Sequence, residues 1–510
     1  MALVAIALLY GCGPEENAGD GGGAGIGQII DHPGGGDQPG GDEPGGDQPG
    51  GDQPGGDQPG GDQPGGDEPG GDQPGGDEPG GDQPGGGEVT PPPVSAANRA
   101  IIKPDQKYGR LTDKFFFDIK QGNQNPMKDS TAARLFGDFG LNGLRIPIYG
   151  TTSNGGHTAP GVIGDGVYDK ILSSINTARS AFKGDKFYIF ASKKLDDNSN
   201  HGAVPSFPAW VKDANGVVGS QYAIMLFDYI SFMKAQGVEI DALGIDNETN
   251  FNEGHISAKV FAETVNALKP KLIAAGLKVP LFVGHEMYNP QRANDYWLKN
   301  LFDGKWQNTL DVYGTHYYPR HHDPNYRDAL IKEFNLCQSD HKRPFWATEP
   351  HWDNDDAAKA NLPWAAERAI CALWDMTDLG LDAFMWWSFK WAGDYRANLM
   401  KNISLAIYNA QPCQMTDNDG VDTMTMGNIQ SRAFRRGDEI NAFLVNVSPN
   451  EWDAYYIQVA GHAFENATVV QWTEDGPVTG TPVSVGIADD NNFWFRLPGR
   501  SISKITFNIK

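Results

Sequence analysis

Cysteine is scarce in this chain of 510 residues, which has only four, at positions 12, 337, 371 and 413. No two of them are spaced like the paired ligands of a zinc site, and the sequence holds no glycine-rich nucleotide loop and no Ser-His-Asp signature. We therefore expect neither a metal nor a cofactor, and nothing in the sequence suggests nucleic acid binding. If Cys12 is modified, the other three cysteines can form at most one disulfide.

Lysine and arginine are absent from residues 1–94. Met1 to Leu9 is apolar and leads into Leu9-Tyr10-Gly11-Cys12, which resembles the lipobox of bacterial lipoproteins. The resemblance implies acylation of Cys12 and an outer-membrane anchor that exposes the protein at the cell surface. Two features depart from that pattern: Tyr10 is bulky for its position, and no basic residue precedes the apolar run. An ordinary secretion signal is the alternative. Both predict export, and no later apolar run is long enough to span a bilayer.

Residues 13–94 lack the apolar side chains that a core needs. Ten repeats of Asp-(Gln/Glu)-Pro-Gly-Gly run from Asp37 to Gly86. Proline and glycine oppose both helix and sheet, so we predict a disordered linker with an r.m.s. span of about 50 Å. The segment carries 18 of the acidic residues, which leaves about −6 of the net charge of −24 for the rest of the chain. A repeat that itself binds a ligand such as calcium is the alternative.

After residue 94, strand-like and helix-like segments alternate with regular spacing, which is typical of a parallel barrel. The clearest helices are predicted at Gln221–Gln236, Ala258–Ala275 and Ala357–Asp378. The predicted strands are Phe115–Ile119, Gly143–Ile148, Lys186–Ala191, Ala242–Asn247, Pro280–Gly284, Leu310–Thr315, Pro344–Thr348 and Ala383–Trp387.

Beyond Met400 the pattern changes to alternating strands separated by turn residues, which predicts a β-sandwich. The expected fold class is therefore α/β, a (β/α)₈ TIM barrel with a C-terminal β-sandwich. The predicted divisions are a signal at 1–12, a linker at 13–94, the barrel at 95–402 and the sandwich at 403–510.

Two glutamates close short apolar runs: Glu248 in Leu243-Gly244-Ile245-Asp246-Asn247-Glu248, and Glu349 in Phe345-Trp346-Ala347-Thr348-Glu349. A barrel of this kind uses roughly 31 residues for each strand and helix, so their spacing suits strands 4 and 7. Asn-Glu on strand 4 with Glu on strand 7 resembles the retaining glycoside hydrolases of clan A. The resemblance implies that Glu248 is the acid/base, that Glu349 is the nucleophile and that Asn247 binds the sugar 2-hydroxyl.

The other strand ends agree with this resemblance. Clan members often keep an arginine beside the nucleophile at strand 2, which here is Arg145, and a histidine or tyrosine at strand 6, which here is His316 or Tyr318. His285 and Glu286 end strand 5 and are expected to contact sugar hydroxyls, although a structural histidine is the alternative. Trp387 is expected to form the floor of the −1 site, with Trp386 as the other choice. Trp352 and Trp391 follow strands 7 and 8 as candidate sugar platforms. Trp210 is either another platform or part of a structural hairpin.

Cations gather in the loops of the expected catalytic face: Lys193 and Lys194 after strand 3, Arg320 and His321 after strand 6, and Lys390 after strand 8. They favour an anionic polymer, with ordinary loop charge as the alternative. The runs Ile245–Glu248, Tyr313–Tyr318 and Thr348–Trp352 resemble glycoside hydrolase family 86, which implies a β-agarase or porphyranase, endo-acting on red-algal galactan.

Two alternatives remain open. A family 30-like xylanase or β-glucanase is the alternative within enzymes. A non-catalytic glycan-binding lipoprotein belongs to another class, and the two intact carboxyls argue against it. We expect a monomer whose partners are its polysaccharide substrate and, through Cys12, the membrane.

Overall fold

The computed structural model describes residues 93–119, 126–150, 156–193, 207–248, 256–287, 289–317, 324–340, 343–350, 374, 377–387, 395–417 and 429–510. Cys12, the repeats of residues 37–86 and Cys371 lie outside these ranges. None of the helices within them is long and apolar enough to cross a membrane.

The strands, labelled in chain order, are β1 Arg99–Lys107, β2 Lys114–Asp118, β3 Gly143–Ile148, β4 Tyr188–Lys193, β5 Lys212–Asp213, β6 Gly216–Val217, β7 Ala242–Gly244, β8 Leu281–Met287, β9 Val312–Tyr317, β10 Phe345–Pro350, β11 Ala383–Trp387, β12 Gln411–Asp417, β13 Ile429–Arg436, β14 Glu439–Asn446, β15 Trp452–Val459, β16 Phe464–Trp472, β17 Thr481–Val483, β18 Gly486–Asp489, β19 Asn492–Leu497 and β20 Ser501–Ile509. The α-helices are α1 Asp129–Ala132, α2 Asp169–Ala181, α3 Gly219–Ala235, α4 Ala258–Ala274, α5 Pro290–Arg292, α6 Lys299–Asp303, α7 Pro324–Ser339 and α8 Tyr395–Ile407.

Eight parallel strands close into a barrel in the order β2-β3-β4-β7-β8-β9-β10-β11. All eight predicted strands are present, and the predicted fold class is confirmed. The helix predictions at α3 and α4 also agree with the structure, because apolar side chains on each buried side pack against the barrel. Most of the predicted helix Ala357–Asp378 lies outside the described residues.

Alternation along the strands produces two apolar layers. One side of the strands fills the barrel interior with Phe116, Phe190, Ala242, Val283, Val312, Trp346, Ala383 and Met385. The other side packs against the helices, as Leu144, Ile146 and Ile148 do. Polar residues at the carboxyl ends of the strands therefore lie above a filled apolar interior, where barrels of this type carry their sites.

The second domain is a sheet of ten strands in the order β17-β16-β20-β14-β13-β12-β1-β15-β19-β18, which encloses its own apolar core. Its strand β1 precedes the barrel in sequence. It pairs antiparallel with β12 and parallel with β15. The sandwich therefore takes strands from both sides of the barrel segment, whereas the sequence places residues 99–107 with the barrel.

The barrel and the sandwich share an apolar contact. The indole of Trp374 is fully buried, and its ring centroid lies 5.8 Å from that of Phe434 and 5.5 Å from that of Phe443. Beside it, the buried Arg432 binds both carboxylate oxygens of Asp378, at 2.8 and 2.6 Å. These contacts join the strand-rich domain directly to the barrel.

Candidate active site

The carboxyl ends of the barrel strands bring six predicted residues together: Arg145, Asn247, Glu248, Glu286, His316 and Glu349. Arg145 lies in β3, His316 in β9 and Glu349 in β10. Asn247 and Glu248 follow β7 directly, at barrel strand 4 as the spacing predicts.

Arg145 is the centre of this site. Its guanidinium is fully buried and donates through Nη1 to Asp118 Oδ2 at 2.7 Å and to Glu349 Oε2 at 2.5 Å. Through Nη2 it donates to Glu286 Oε1 at 2.7 Å and to Asn247 Oδ1 at 3.0 Å. The planar fork of an arginine can hold several acceptors in fixed directions, so it orients the Glu349 carboxylate.

The surrounding carboxylates keep Arg145 charged. Burial by itself disfavours the charged guanidinium, but Glu286, Asp118 and Glu349 outweigh it and raise the pKa of Arg145 above its usual value. The guanidinium also lies over the ring of Phe190, with 5.6 Å between its central carbon and the ring centroid. A permanent positive charge therefore lies beneath Glu349.

His316 lies between the two candidate catalytic glutamates. Its Nδ1 is 3.1 Å from Glu248 Oε1 and 3.7 Å from Glu349 Oε2, and its Nε2 is 3.2 Å from Arg145 Nη2. Burial favours the neutral ring, yet Glu349, Glu248 and Glu286 outweigh that effect and raise the pKa of His316. The ring is thus placed to share a proton with Glu248.

The backbone before Glu248 is fixed by Asp246. One carboxylate oxygen of Asp246 accepts from the amide of Asn247 and the other from the amide of Ile256, both at 2.8 Å. Tyr222 donates to the carbonyl of Ile245 at 2.8 Å. The turn after β7 therefore holds Asn247 and Glu248 in place, with the Glu248 side chain 13% exposed toward the mouth of the barrel.

Oxygen atoms of Glu248 and Glu349 and a ring nitrogen of His316 all lie within 4.8 Å of one another. Such a group could in principle hold a divalent cation. However, Arg145 already donates to Glu349, and a second cation beside it would be repelled. The arrangement suits two carboxyls acting on one small group between them better than it suits a metal.

Two of the residues predicted for the site, His285 and Lys193, lie away from it. His285 does not reach the site: its side chain is buried against Trp297 and has Nε2 3.2 Å from Glu333 Oε1. The pairing of β8 shifts between His285 and Met287, so His285 lies toward the helices and Glu286 toward the interior. Lys193 is also buried away from the mouth, with its ammonium 4.9 Å from the ring centroid of Phe207.

Trp210 belongs to the structural alternative. It lies in a short 3₁₀ turn, Ala209–Val211, and its indole donates to the carbonyl of His157 at 2.9 Å. The two-stranded hairpin of β5 and β6 follows at once. The indole is partly buried against the barrel core, so it anchors this hairpin.

Other predicted residues lie outside the described part of the chain: Tyr318, Trp352, Lys194, Arg320, Trp391, His321 and Lys390. Trp386 and Trp387 belong to β11, but their side chains also lie outside it. The choice between these two tryptophans therefore remains a prediction.

Two residues of the site were missed in the sequence. Asp118 binds Arg145 from the end of β2, and Ser192 donates to Glu286 Oε2 at 3.0 Å from the end of β4. Each is a polar residue near the carboxyl end of an apolar strand, as Glu349 is. The same signal, applied to every barrel strand, would have found them.

No family model matches the sequence, and no curated protein matches it. Among solved structures, the fold is similar to the xylanase of glycoside hydrolase family 30 subfamily 8 from Clostridium acetobutylicum, with a TM-score of 0.58, 17% identity, and coverage of 81% of this chain and 100% of that one. The fold is also similar to the catalytic domain of the family 30 xylanase C from Talaromyces cellulolyticus, with a TM-score of 0.57, 17% identity, and coverage of 81% of this chain and 100% of that one. For CelM2, a bifunctional glucanase-xylanase from a metagenome library, the TM-score is 0.55 and the identity is 15%, with coverage of 81% of this chain and 99% of that one. These likenesses show that the chain shares the fold of these enzymes.

Proposed function

We propose that this protein is a retaining glycoside hydrolase that cleaves β-linked polysaccharide, with Glu349 as nucleophile and Glu248 as acid/base. One observation carries the proposal: carboxylate oxygens of these two glutamates lie within 4.8 Å at the carboxyl ends of barrel strands 4 and 7. Retaining glycosidases keep their two carboxyl groups about 5–5.5 Å apart, whereas inverting enzymes need roughly 6.5–9.5 Å to admit a water.

The surroundings give the two glutamates different roles. Glu349 is almost fully buried and accepts a hydrogen bond from the charged Arg145, which favours the ionised form that a nucleophile requires. Glu248 is the more exposed of the two and lies beside His316 rather than beside Arg145. It is placed to give a proton to the departing oxygen and then to take one from the attacking water.

Asn247 supports the same reaction. Its Oδ1 accepts from Arg145, which fixes the orientation of the amide and makes Nδ2 the donor end of that amide. A donor at this position suits the sugar 2-hydroxyl, whose hydrogen bond strengthens in the transition state.

The substrate is a further part of the proposal. The resemblance to family 86 in residues 245–248, 313–318 and 348–352 favours a red-algal galactan and endo action. The similar structures are described as a xylanase, a xylanase and a glucanase-xylanase, which favours xylan or a β-glucan as a second candidate. The burial of Lys193 removes one cation from the charged cluster on which an anionic substrate depended.

A substrate panel tests the function. The full chain is incubated with agarose, porphyran, xylan and laminarin, and the reducing ends are measured. Proton NMR of the first product then reports its anomeric configuration. We expect cleavage with retention. Inversion would contradict the roles of the two glutamates, and binding without cleavage of any polymer would support the glycan-binding alternative.

Substitution of each glutamate assigns the roles. Glu349→Gln and Glu248→Gln should each lower turnover by several orders of magnitude with unchanged circular dichroism. Glu333→Gln is the matched control, since Glu333 is a fully buried glutamate outside the site. Azide added to Glu349→Ala should give an α-glycosyl azide from a β-linked substrate, and azide added to Glu248→Ala should give the β product. The reverse pattern would exchange the two roles.

We also propose that Cys12 is acylated and that residues 13–94 act as a flexible linker at the cell surface. The lipobox-like run and the repeats support this. Labelling with a radioactive fatty acid should mark the wild type and not the Cys12→Ala variant. Release of unlabelled wild type into the medium would instead support an ordinary secretion signal.

A further inference from the structure

Glu286 lies within the site, yet it is only 1% exposed. Its Oε1 accepts from Arg145 Nη2 at 2.7 Å, and its Oε2 accepts from Ser192 Oγ at 3.0 Å. Both carboxylate oxygens are therefore bound to the protein. A sugar ligand needs an accessible oxygen, so the predicted contact between Glu286 and sugar hydroxyls does not fit this geometry.

The backbone of Glu286 reaches the other candidate catalytic residue. Its carbonyl oxygen accepts from the amide of Glu248 at 2.9 Å. Both residues have positive φ, 56° for Glu286 and 53° for Glu248, a region that side chains other than glycine and asparagine rarely adopt. Such conformations persist where surrounding contacts determine them, and here the hydrogen bond and the side-chain contacts of Glu286 supply that restraint.

The neighbouring strand leaves space for this carboxylate. Gly244 is the last residue of β7, and a Cβ atom there would lie 1.9 Å from Glu286 Oε2. Any larger residue at position 244 would force the Glu286 carboxylate to move. The glycine therefore allows Glu286 to approach Arg145 and Ser192 together.

Charge balance alone does not explain Glu286. Arg145 already binds Asp118 and Glu349, so its single positive charge has two carboxylates without Glu286. A third carboxylate adds negative charge to a buried cluster, which lowers the stability of the folded chain. Its presence therefore points to a role other than charge balance. That charge lies 3.9 Å from Nε2 of His316, on the opposite side of the ring from Glu248.

We propose that Glu286 is a positioning residue that fixes both candidate catalytic glutamates, Glu248 through its backbone carbonyl and Glu349 through Arg145, and that its charge favours the proton held between His316 and Glu248. This inference rests on the proposed function. His316 faces Glu248, Glu286, Glu349 and Arg145, and of these Glu286 is the carboxylate that the reaction does not consume or regenerate.

The test uses Glu286→Gln in the full chain, with kcat and KM measured across pH. The variant keeps the approximate shape but removes the charge, and its amide nitrogen cannot accept a hydrogen bond from Arg145 or Ser192, so the guanidinium loses part of the contact that places it. We expect kcat to fall about 100-fold, the loss typical of a misplacement of about 1 Å, with little change in KM. The alkaline limb of the pH profile should move to lower pH by about one unit, because the charge that favours the proton is gone. Glu286→Asp, which retains the charge, should restore the limb more than it restores kcat.

A second variant reaches the same residue from another strand. Gly244→Ala leaves Glu286 unchanged but displaces its carboxylate, so kcat should fall by a similar factor. Gly219→Ala is the matched control: its added Cβ would lie 2.7 Å from Glu263 Cβ in helix α4, away from the site. It should lower the melting temperature and leave kcat of the folded protein within about threefold of the wild type.

Each outcome decides the inference. Wild-type kcat and pH profile in both Glu286→Gln and Gly244→Ala would overturn it. A rise in KM with unchanged kcat would overturn it in favour of a substrate contact, and a lower melting temperature with unchanged kcat would reduce Glu286 to a structural role. An inactive wild type on every polymer would overturn the proposed function itself, and this inference with it.

Discussion

Replacement of Arg145 by lysine should separate geometry from charge at the candidate site. Lysine retains the positive charge but presents a compact ammonium in place of the planar fork. The guanidinium donates to Asp118, Glu349, Glu286, Ser192 and Asn247 without exposure to solvent. An ammonium has three donors, so at least two of these acceptors lose their partner.

The expected losses follow from those contacts. A hydrogen bond to a charged group contributes about 1.5–3 kcal/mol, and some of this is retained by the lysine, so we expect the free energy of unfolding to fall by about 2–4 kcal/mol. Glu349 loses the donor that orients it, and a displacement of about 1 Å lowers turnover about 100-fold. Urea unfolding followed by fluorescence measures the first loss, and kcat on the best polymer of the panel measures the second.

Arg432→Lys is the matched control. Arg432 is also almost fully buried and binds Asp378 through two hydrogen bonds, but it lies where the sandwich meets the barrel. It should lose stability by a comparable amount and keep the kcat of the wild type. Equal loss of kcat in both variants would show that loosening of the fold, rather than the orientation of Glu349, lowers activity. A fully active Arg145→Lys would refute the role given to the guanidinium.

Three further predictions follow from buried groups outside the site. Burial, with a smaller contribution from the charge of Lys193, lowers the pKa of His157 to about 4. Between about pH 6.5 and pH 4 the unfolded chain therefore binds a proton at this histidine and the folded chain does not, so the free energy of unfolding should fall by about 3 kcal/mol as the pH is lowered through that range. In urea titrations, the free energy of unfolding of His157→Gln should depend less steeply on pH in the same range. Burial raises the pKa of the Cys337 thiol and raises that of Cys413 to about 12, and both are free thiols, so mass spectrometry should find them alkylated only after unfolding in urea. Trp374→Ala should lower the free energy of unfolding by about 3–5 kcal/mol, and a loss below 1 kcal/mol would show that the contact between barrel and sandwich is not tight.

The sequence predicted the barrel well because its signals are local. Each barrel strand is an apolar run of the right length bounded by turn residues, and the polar residues at strand ends mark one rim of the barrel. Glu349 was found by this rule, whereas Arg145 and His316 were found through the resemblance to clan A. Asn247 and Glu248 lie beyond the last paired residue of β7, in the turn that follows it, and the rule located them because the apolar run of the strand leads directly into that turn.

The two errors have different causes: the backbone of β8 departs from regular alternation, and Lys193 is buried although it lies at a strand end. Strict alternation from Val283 would turn His285 inward and Glu286 outward, and the register shift in β8 reverses this. No residue type in the run announces such a shift. Lys193 follows alternation correctly, since it lies on the same side of β4 as Ile189 and Ala191, but a lysine at a strand end was expected in solvent. The ring of Phe207, which lies over its ammonium, comes from a later segment of the chain and not from β4.

Strand β1 determines the order in which this chain can be assembled. Among the strands that the structure describes it is the first made, yet its partners are β12 and β15, so Ala100 must wait for Asp417 before the sheet can close. At roughly 5–20 residues per second, that interval lasts on the order of 15–60 s, during which the whole barrel emerges. The barrel is thus an insertion within the sandwich, and the closing of β1 into its sheet joins the two ends of the folded chain. Removal of β1 would open the sheet between β12 and β15, so a shortened chain that begins at the first barrel strand would leave two unpaired strand edges on which separate molecules could associate.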